Sequence, residues 1–264
     1  MSTILKIEHL TKKFRGLTAV NDLSIEMKSR TIHTLIGPNG SGKTTTINMI
    51  NGVFPPTKGK IYFDGHDVTD LPTWRIARLG VCRTFQNLKL FNTMTVEENL
   101  MVGGQMTYAD GNIFSFLLNP VKARKEEKLL EEKAHEAMKK LHIEDLAKRK
   151  TGGLPYGKLK MVELAKCMMG NPKLMLLDEP AAGLNPSERA EFLEILLQLY
   201  EEGMDLFLIE HNMDVVMRIS QMITVINFGS KIAEGRPEEI QNHPEVIQAY
   251  LGDRYQAQGG NKRC

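Results

Sequence analysis

The spacing of apolar positions changes character three times along the chain. Residues 4 to 8, 20 to 27 and 31 to 36 carry apolar residues in short alternating or continuous blocks bounded by turn formers, which predicts strands. A helix is expected from about 43, and further strands over 59 to 64 and 80 to 85, so the first part reads as a strand-rich N-terminal lobe. From about 95 to 170 the pattern turns helical: in VKARKEEKLLEEKAHEAMKKLHIEDLAKRK the residues Leu130, Ala134, Ala137, Met138 and Leu141 form one apolar stripe on a charged helix. Gly103, Gly104, Gly111, Asn112 and Pro120 predict a loop region within 103 to 120. Strand-like LMLLD, helix-like PSERAEFLEILLQLYEEG, strand-like DLFLIE and helix-like MDVVMRIS then alternate as in a parallel sheet with helical crossovers. A hairpin-like ITVINFGSKIAEG and a helix-rich segment follow, and QAQGGNKRC reads as a disordered tail.

With 264 residues, 42% of them apolar and 25% charged, the chain is long enough for one large domain or two lobes sharing an interface. Thirty-four basic against 32 acidic residues leave +2, which argues for neither a nucleic-acid partner nor an anionic membrane surface. Cys82, Cys167 and Cys264 are odd in number, far apart and outside any CxxC, so the expectation is no disulfide framework, no zinc site and a reducing cytosol. The start lacks a signal-peptide apolar region and no 18 apolar residues run together, so the chain is not expected to span a membrane.

Chemistry enters with Gly37-Pro38-Asn39-Gly40-Ser41-Gly42-Lys43-Thr44, a G-x-x-x-x-G-K-[ST] phosphate loop between a predicted strand and a predicted helix, followed by Thr45. Glycines let backbone N–H groups curl around a β-phosphate, Lys43 reaches the β and γ oxygens, and Thr44 is a Mg²⁺ ligand. Asp178, ending an apolar strand, is the expected partner of the same Mg²⁺, and Glu179 the general base or positioner of the attacking water. His211 follows a second apolar strand, where it can hydrogen-bond the γ-phosphate; Gln86, ending VCRTFQ, reads as a neutral contact to metal-bound water.

These elements in this order resemble the nucleotide-binding subunits of ATP-binding cassette (ABC) transporters. The resemblance covers nearly the whole chain: Phe14 where the adenine-stacking residue belongs, the phosphate loop, Gln86, a helical segment, LPYGK in place of the signature LSGGQ, Asp178-Glu179, AGLNP at 182 to 186, and His211. It implies an α/β fold of the ABC ATPase type: a RecA-like core, an N-terminal antiparallel β subdomain and an α-helical subdomain inserted at about 88 to 170. One ATPase domain would occupy 1 to 252, and 253 to 264 a disordered tail. LPYG with DEPAAGLNP and the closing HPEVIQAYLG look most like an ATPase of branched-chain amino-acid importers. An ATPase of an exporter, for instance of lipopolysaccharide, and a non-transport cassette ATPase stay open as alternatives.

The resemblance further implies ATP and Mg²⁺, membrane permease subunits, a second cassette packed head to tail (a paralogue or another copy), an indirect extracytoplasmic solute-binding protein, and a place on the cytoplasmic face of the membrane. In such a pair the signature turn of one chain closes over the ATP of the other. Pro155 stands where the family serine would offer a hydroxyl and has no N–H. That leaves the N–H groups of Tyr156 and Gly157 and the positive end of the following helix to meet phosphate. Lys158 reads as either a solvated lysine or a phosphate contact, and Asn185 replaces a frequent Asp. Around Gln86, Leu88, Leu90 and Phe91 read equally as core or as part of a permease-docking surface.

Overall fold

The computed structural model describes residues 2–86, 88–108 and 120–250. Two sheets and a set of helices share its apolar residues. Strands β1 (Thr3–Phe14), β2 (Leu17–Lys28), β4 (Lys58–Phe63) and β5 (His66–Asp67) form an antiparallel sheet in the order β2-β1-β4-β5. The second sheet has the order β10-β9-β3-β8-β7-β6, from β3 (Ile32–Ile36), β6 (Val81–Arg83), β7 (Leu174–Asp178), β8 (Asp205–Ile209), β9 (Met222–Asn227) and β10 (Ser230–Gly235). Its strands pair in parallel except β10, which returns antiparallel on β9.

Strands of this second sheet are apolar on both faces because both faces are covered. Leu174, Leu176, Phe207 and Ile209 pack with the antiparallel sheet and helix α1 (Lys43–Ile50), while Met175, Leu177, Leu206 and Leu208 pack with the helices opposite. The alternation has the two-residue period of a pleated strand, read here against two cores instead of core and water. On the helical side lie α3 (Val96–Tyr108), α4 (Pro120–Lys140), α5 (Tyr156–Met168), α6 (Pro186–Glu201) and α7 (Met213–Ile219), while α2 (Thr73–Leu79) packs through Ile76 and Leu79 on the side of α1 and the antiparallel sheet; α8 (Pro237–Gln241) follows β10. The stripe expected on α4 is buried at every position, Leu130 through Leu141.

Three expectations change. The loop predicted over 103 to 120 is helix up to Tyr108; its remainder, 109–119, and the tail from 251 lie outside the described residues. Gly103 and Gly104 serve packing, not turning: a Cβ on Gly103 would lie 2.7 Å from the Lys166 carbonyl oxygen, and one on Gly104 would lie 2.8 Å from Leu130 and Met169 side-chain carbons. Cys82 and Cys167, expected unpaired, form a disulfide with Cα atoms 5.8 Å apart. Eighty-five residues separate them in sequence, and only the packing of α5 beside β6 brings them together. Finally, β3 and β6, grouped with the N-terminal strands by sequence, belong to the parallel sheet. Among the described residues no helix is long and apolar enough to cross a membrane.

Candidate functional site

Parallel pairing puts the carboxyl ends of β3, β6, β7 and β8 along one edge of the sheet, and each of them leads into a candidate residue. From β3 the chain enters the phosphate loop. A Cβ on Gly37 would fall 2.1 Å from the carbonyl oxygen of Ile226, and one on Gly42, whose φ is +105°, would fall 2.5 Å from that of Ala19. Only glycine fits between β9 and β2 at these points. Gly42 caps α1 with no side-chain hydrogen bond and no acid follows in the first turn, so backbone N–H groups and the helix dipole present positive potential there. Lys43 Nζ donates to the carbonyl oxygens of Gly37 (2.7 Å) and Pro38 (2.9 Å). The buried hydroxyl of Ser41 finds no hydrogen-bond partner among the described residues. An orphaned donor in such a loop fits a phosphate oxygen.

This loop, from Asn39 to Thr45, lines a cleft of about 430 Å³ together with Phe14, Leu17, Glu179 and Phe228. Phe14 is 43% exposed, and its ring meets Phe54 edge to face with centroids 5.4 Å apart, which steadies it at the rim. A second cleft of about 460 Å³, between β6 and helices α3 and α5, contains none of the predicted site residues.

Asp178 closes β7. Its Oδ2 accepts from Arg83 Nη2 at 2.8 Å, while Arg83 Nη1 donates to Asn48 Oδ1 at 2.6 Å. Arg83 had no sequence signal, being one arginine on a three-residue strand; the next-door strand β7 supplies its partner. Glu179 has φ of +48°, so its side chain leaves the strand direction. Gln86 Nε2 donates to Glu179 Oε2 at 3.2 Å, and His211 Nδ1 lies 3.5 Å from Oε1. Three residues named from sequence therefore meet around one carboxylate.

Glu210 is a further residue that pattern reading passed over as the last acid of DLFLIE. Its buried carboxylate accepts from the N–H groups of Ala181 (3.2 Å), His211 (3.2 Å) and Asn212 (3.4 Å). Burial pushes its pKa up, against the pull of those N–H groups. Glu210 thus ties the turn after Glu179 to the segment bearing His211.

Tyr156 and Gly157 are not brought to this cleft. The expected turn before the helix is shorter than its five residues: α5 begins at Tyr156 with Pro155 as its cap, and Leu159 N–H already donates to the Pro155 carbonyl at 3.1 Å. Tyr156, Gly157 and Lys158 therefore form the first turn, whose N–H groups lack intrahelical acceptors. Lys158 pairs with Glu191 at 3.0 Å. Asn185 caps α6 through Oδ1, accepting from Glu188 N–H at 2.9 Å, a task asparagine performs as well as aspartate. Of the apolar residues after Gln86, Leu90 packs on the core and Phe91 is exposed.

Thr44, Gln86 and Asp178 offer only oxygen ligands suited to Mg²⁺, and among the described residues no three His, Cys, Asp or Glu side chains cluster to hold a metal alone. A cation here needs oxygens from a bound phosphate chain and water.

Comparison with known proteins agrees with this geometry. Residues 20–182 match the family model described as ABC transporter, and 230–256 match one described as branched-chain amino acid ATP-binding cassette transporter. The high-affinity branched-chain amino acid transport ATP-binding protein BraF of Pseudomonas aeruginosa is 42% identical over 95% of this chain and 98% of its own length. LivG of Escherichia coli, a protein of the same description, is 41% identical with the same coverage. Among solved structures, an ATP-binding cassette of an ABC transporter in its ADP conformation superimposes with a TM-score of 0.83 at 32% identity, covering 96% of this chain and 100% of that one. A nucleotide-free cassette gives 0.82 at 34% identity, covering 94% and 98%. With a family model matching 20–182 and relatives 41–42% identical over 95% of its length, the chain belongs to the ABC transporter family, as an ATP-hydrolysing cassette.

Proposed function

We propose that this ATPase powers the uptake of branched-chain or other hydrophobic amino acids through separate permease subunits at the cytoplasmic face of the membrane, with an extracytoplasmic solute-binding protein supplying the solute. The observation that carries this reading is the match of 230–256 to the branched-chain cassette model, joined to relatives of that description along almost the whole chain. It favours import over the exporter alternative. Residues 1–252 act as one ATPase domain with a helical subdomain at about 88–170. A permease helix docks on the surface around Gln86, where Phe91 is exposed, next to the helical subdomain.

Phe14 stacks on the adenine, the loop from Gly37 to Thr45 wraps the phosphates, and Lys43 transfers its hydrogen bonds from loop carbonyls to phosphate oxygens. Thr44, Asp178 and Gln86 hold Mg²⁺, which neutralises charge on the β and γ oxygens when bound. Glu179 takes a proton from the attacking water, and His211 and Gln86 hold that carboxylate in place while His211 reaches the γ-phosphate. Tyr156 and Gly157, turned away from this cleft, offer the first turn of α5 to the ATP of a second cassette.

Deleting the gene should abolish uptake of labelled leucine, and the wild-type chain but not Lys43→Ala should restore it. Unchanged leucine uptake after deletion would reject the import reading. Specific ATPase activity that rises with concentration of the purified chain would mean that two copies can form the working pair; flat activity with intact ATP binding would mean that the chain waits for a different partner cassette or for its membrane subunits.

A further inference from the structure

Gln86 is exposed, and the backbone around it is held chiefly by α5 and α3 instead of by the sheet. Glu163, on the inner face of α5, accepts through Oε1 from the N–H of Phe85 (3.3 Å) and from the N–H of Lys89 (3.4 Å). Three residues on, Lys166 Nζ donates to the Lys89 carbonyl at 2.8 Å and lies 5.0 Å from the centre of the Phe91 ring. At the far end Asn99 of α3 accepts from Phe91 N–H at 2.8 Å and donates to its carbonyl at 3.1 Å. Glu163 is 6% exposed. A carboxylate so buried is costly unless hydrogen bonds or nearby cations offset its desolvation, and the charges of Lys160 and Lys166 act on it here. Its hydrogen-bond partners are two backbone N–H groups on either side of Gln86.

We infer that Glu163 is a positioning residue of the ATPase reaction: it grips the backbone on both sides of Gln86 and so sets where the Gln86 amide meets the Glu179 carboxylate. The helix that carries Glu163 begins at Pro155, so the element presenting the first turn to a second nucleotide also fixes the Gln86 segment of its own site. Displacement of that first turn is thereby transmitted, through one side chain, to the carboxylate that activates water. This inference rests on the roles given above to Gln86 and Glu179.

The test uses the full-length chain assembled with its partner subunits and compares turnover and KM for ATP in Gln86→Ala, Glu163→Met, Glu163→Gln and the double variant Gln86→Ala with Glu163→Met. Methionine keeps the buried volume and removes the acceptor; glutamine keeps one acceptor oxygen for both N–H groups. Glu163→Met is expected to lower kcat about 10- to 100-fold, the scale of a small misplacement near the reacting atoms, with KM for ATP unchanged. Glu163→Gln should recover most of that loss, and the double variant should turn over no more slowly than Gln86→Ala alone. Should Glu163→Met fail to fold, Glu163→Leu, which also fills the buried space without an acceptor, takes its place in the same comparison with Gln86→Ala. Normal turnover in Glu163→Met, independent losses in the double variant, or a glutamine variant as slow as the methionine one would overturn the inference. Normal turnover in Gln86→Ala would instead remove the reading of Gln86 on which it stands.

Discussion

Arg83 and Asp178 form an ion pair of 2.8 Å in which the side chains are only 4% and 7% exposed. Both charges are withdrawn from water, so each depends on the other for compensation. Arg83→Met strands the Asp178 carboxylate and is expected to lower the free energy of unfolding by about 3 to 5 kcal/mol. Urea unfolding of the two proteins measures the difference; a loss below about 1 kcal/mol would mean the pair behaves like a surface salt bridge.

Glu179 is placed differently from its neighbour. Gln86 and His211 contact its two oxygens, and among the described residues no arginine forms an ion pair with it, an arrangement suited to accepting a proton. Glu179→Gln should keep ATP binding and lower hydrolysis about 10²- to 10⁴-fold. Equal turnover in the two proteins would remove Glu179 from the reaction.

His33 supplies a pH dependence of stability. It is fully buried, bonded at 2.8 Å to the Thr224 hydroxyl and stacked on Phe207, and burial, aided by the charge of Lys231, lowers its pKa from 6.5 to about 4. Between pH 6.5 and 4 the unfolded chain binds a proton that the folded chain refuses, so this contribution is complete above pH 6.5 and is lost as pH falls toward 4. The loss amounts to about 3 kcal/mol. Chemical unfolding at several pH values should show a shallower acid slope for His33→Gln than for the wild type; identical slopes would sink the assignment.

Pro155→Ser bears on the departure from the family signature. Because Pro155 only caps α5 and the first-turn N–H groups come after it, the ATPase rate of the assembled protein should change by less than about twofold. A rise in rate well beyond twofold would show that the backbone donors do not suffice and that the missing hydroxyl matters.

Strands β7 and β8, the phosphate loop and the stripe on α4 were legible because local pattern and tertiary environment agree there. Gln86, Glu179 and His211 were named singly; their meeting at one carboxylate depends on the strand order β8-β7-β6, which periodicity does not encode. Arg83, Glu163 and Glu210 escaped notice for a common reason: each is a buried charge with a partner distant in sequence (Asp178, Phe85 and Ala181 respectively), and a charge in a sequence looks the same whether solvated or paired. Gly103 and Gly104 misled because glycine serves close helix packing as readily as turns, and only the neighbour at 2.7 to 2.8 Å tells which. The short strand β5, by contrast, had a readable signal in Asp64-Gly65, where φ is +47° and +78°.

The β1–β2 ribbon works as a gauge. Each strand has twelve residues, and the pairing of Phe14 with Leu17 at its far end brings both side chains to the rim of the cleft opposite the phosphate loop. Shortening the ribbon by two residues per strand preserves the inward and outward alternation yet draws its tip back by about 7 Å. The span between the Phe14 ring and the loop from Asn39 to Thr45 is therefore counted in rungs of a ladder, and it changes with strand length without any change in the loop itself.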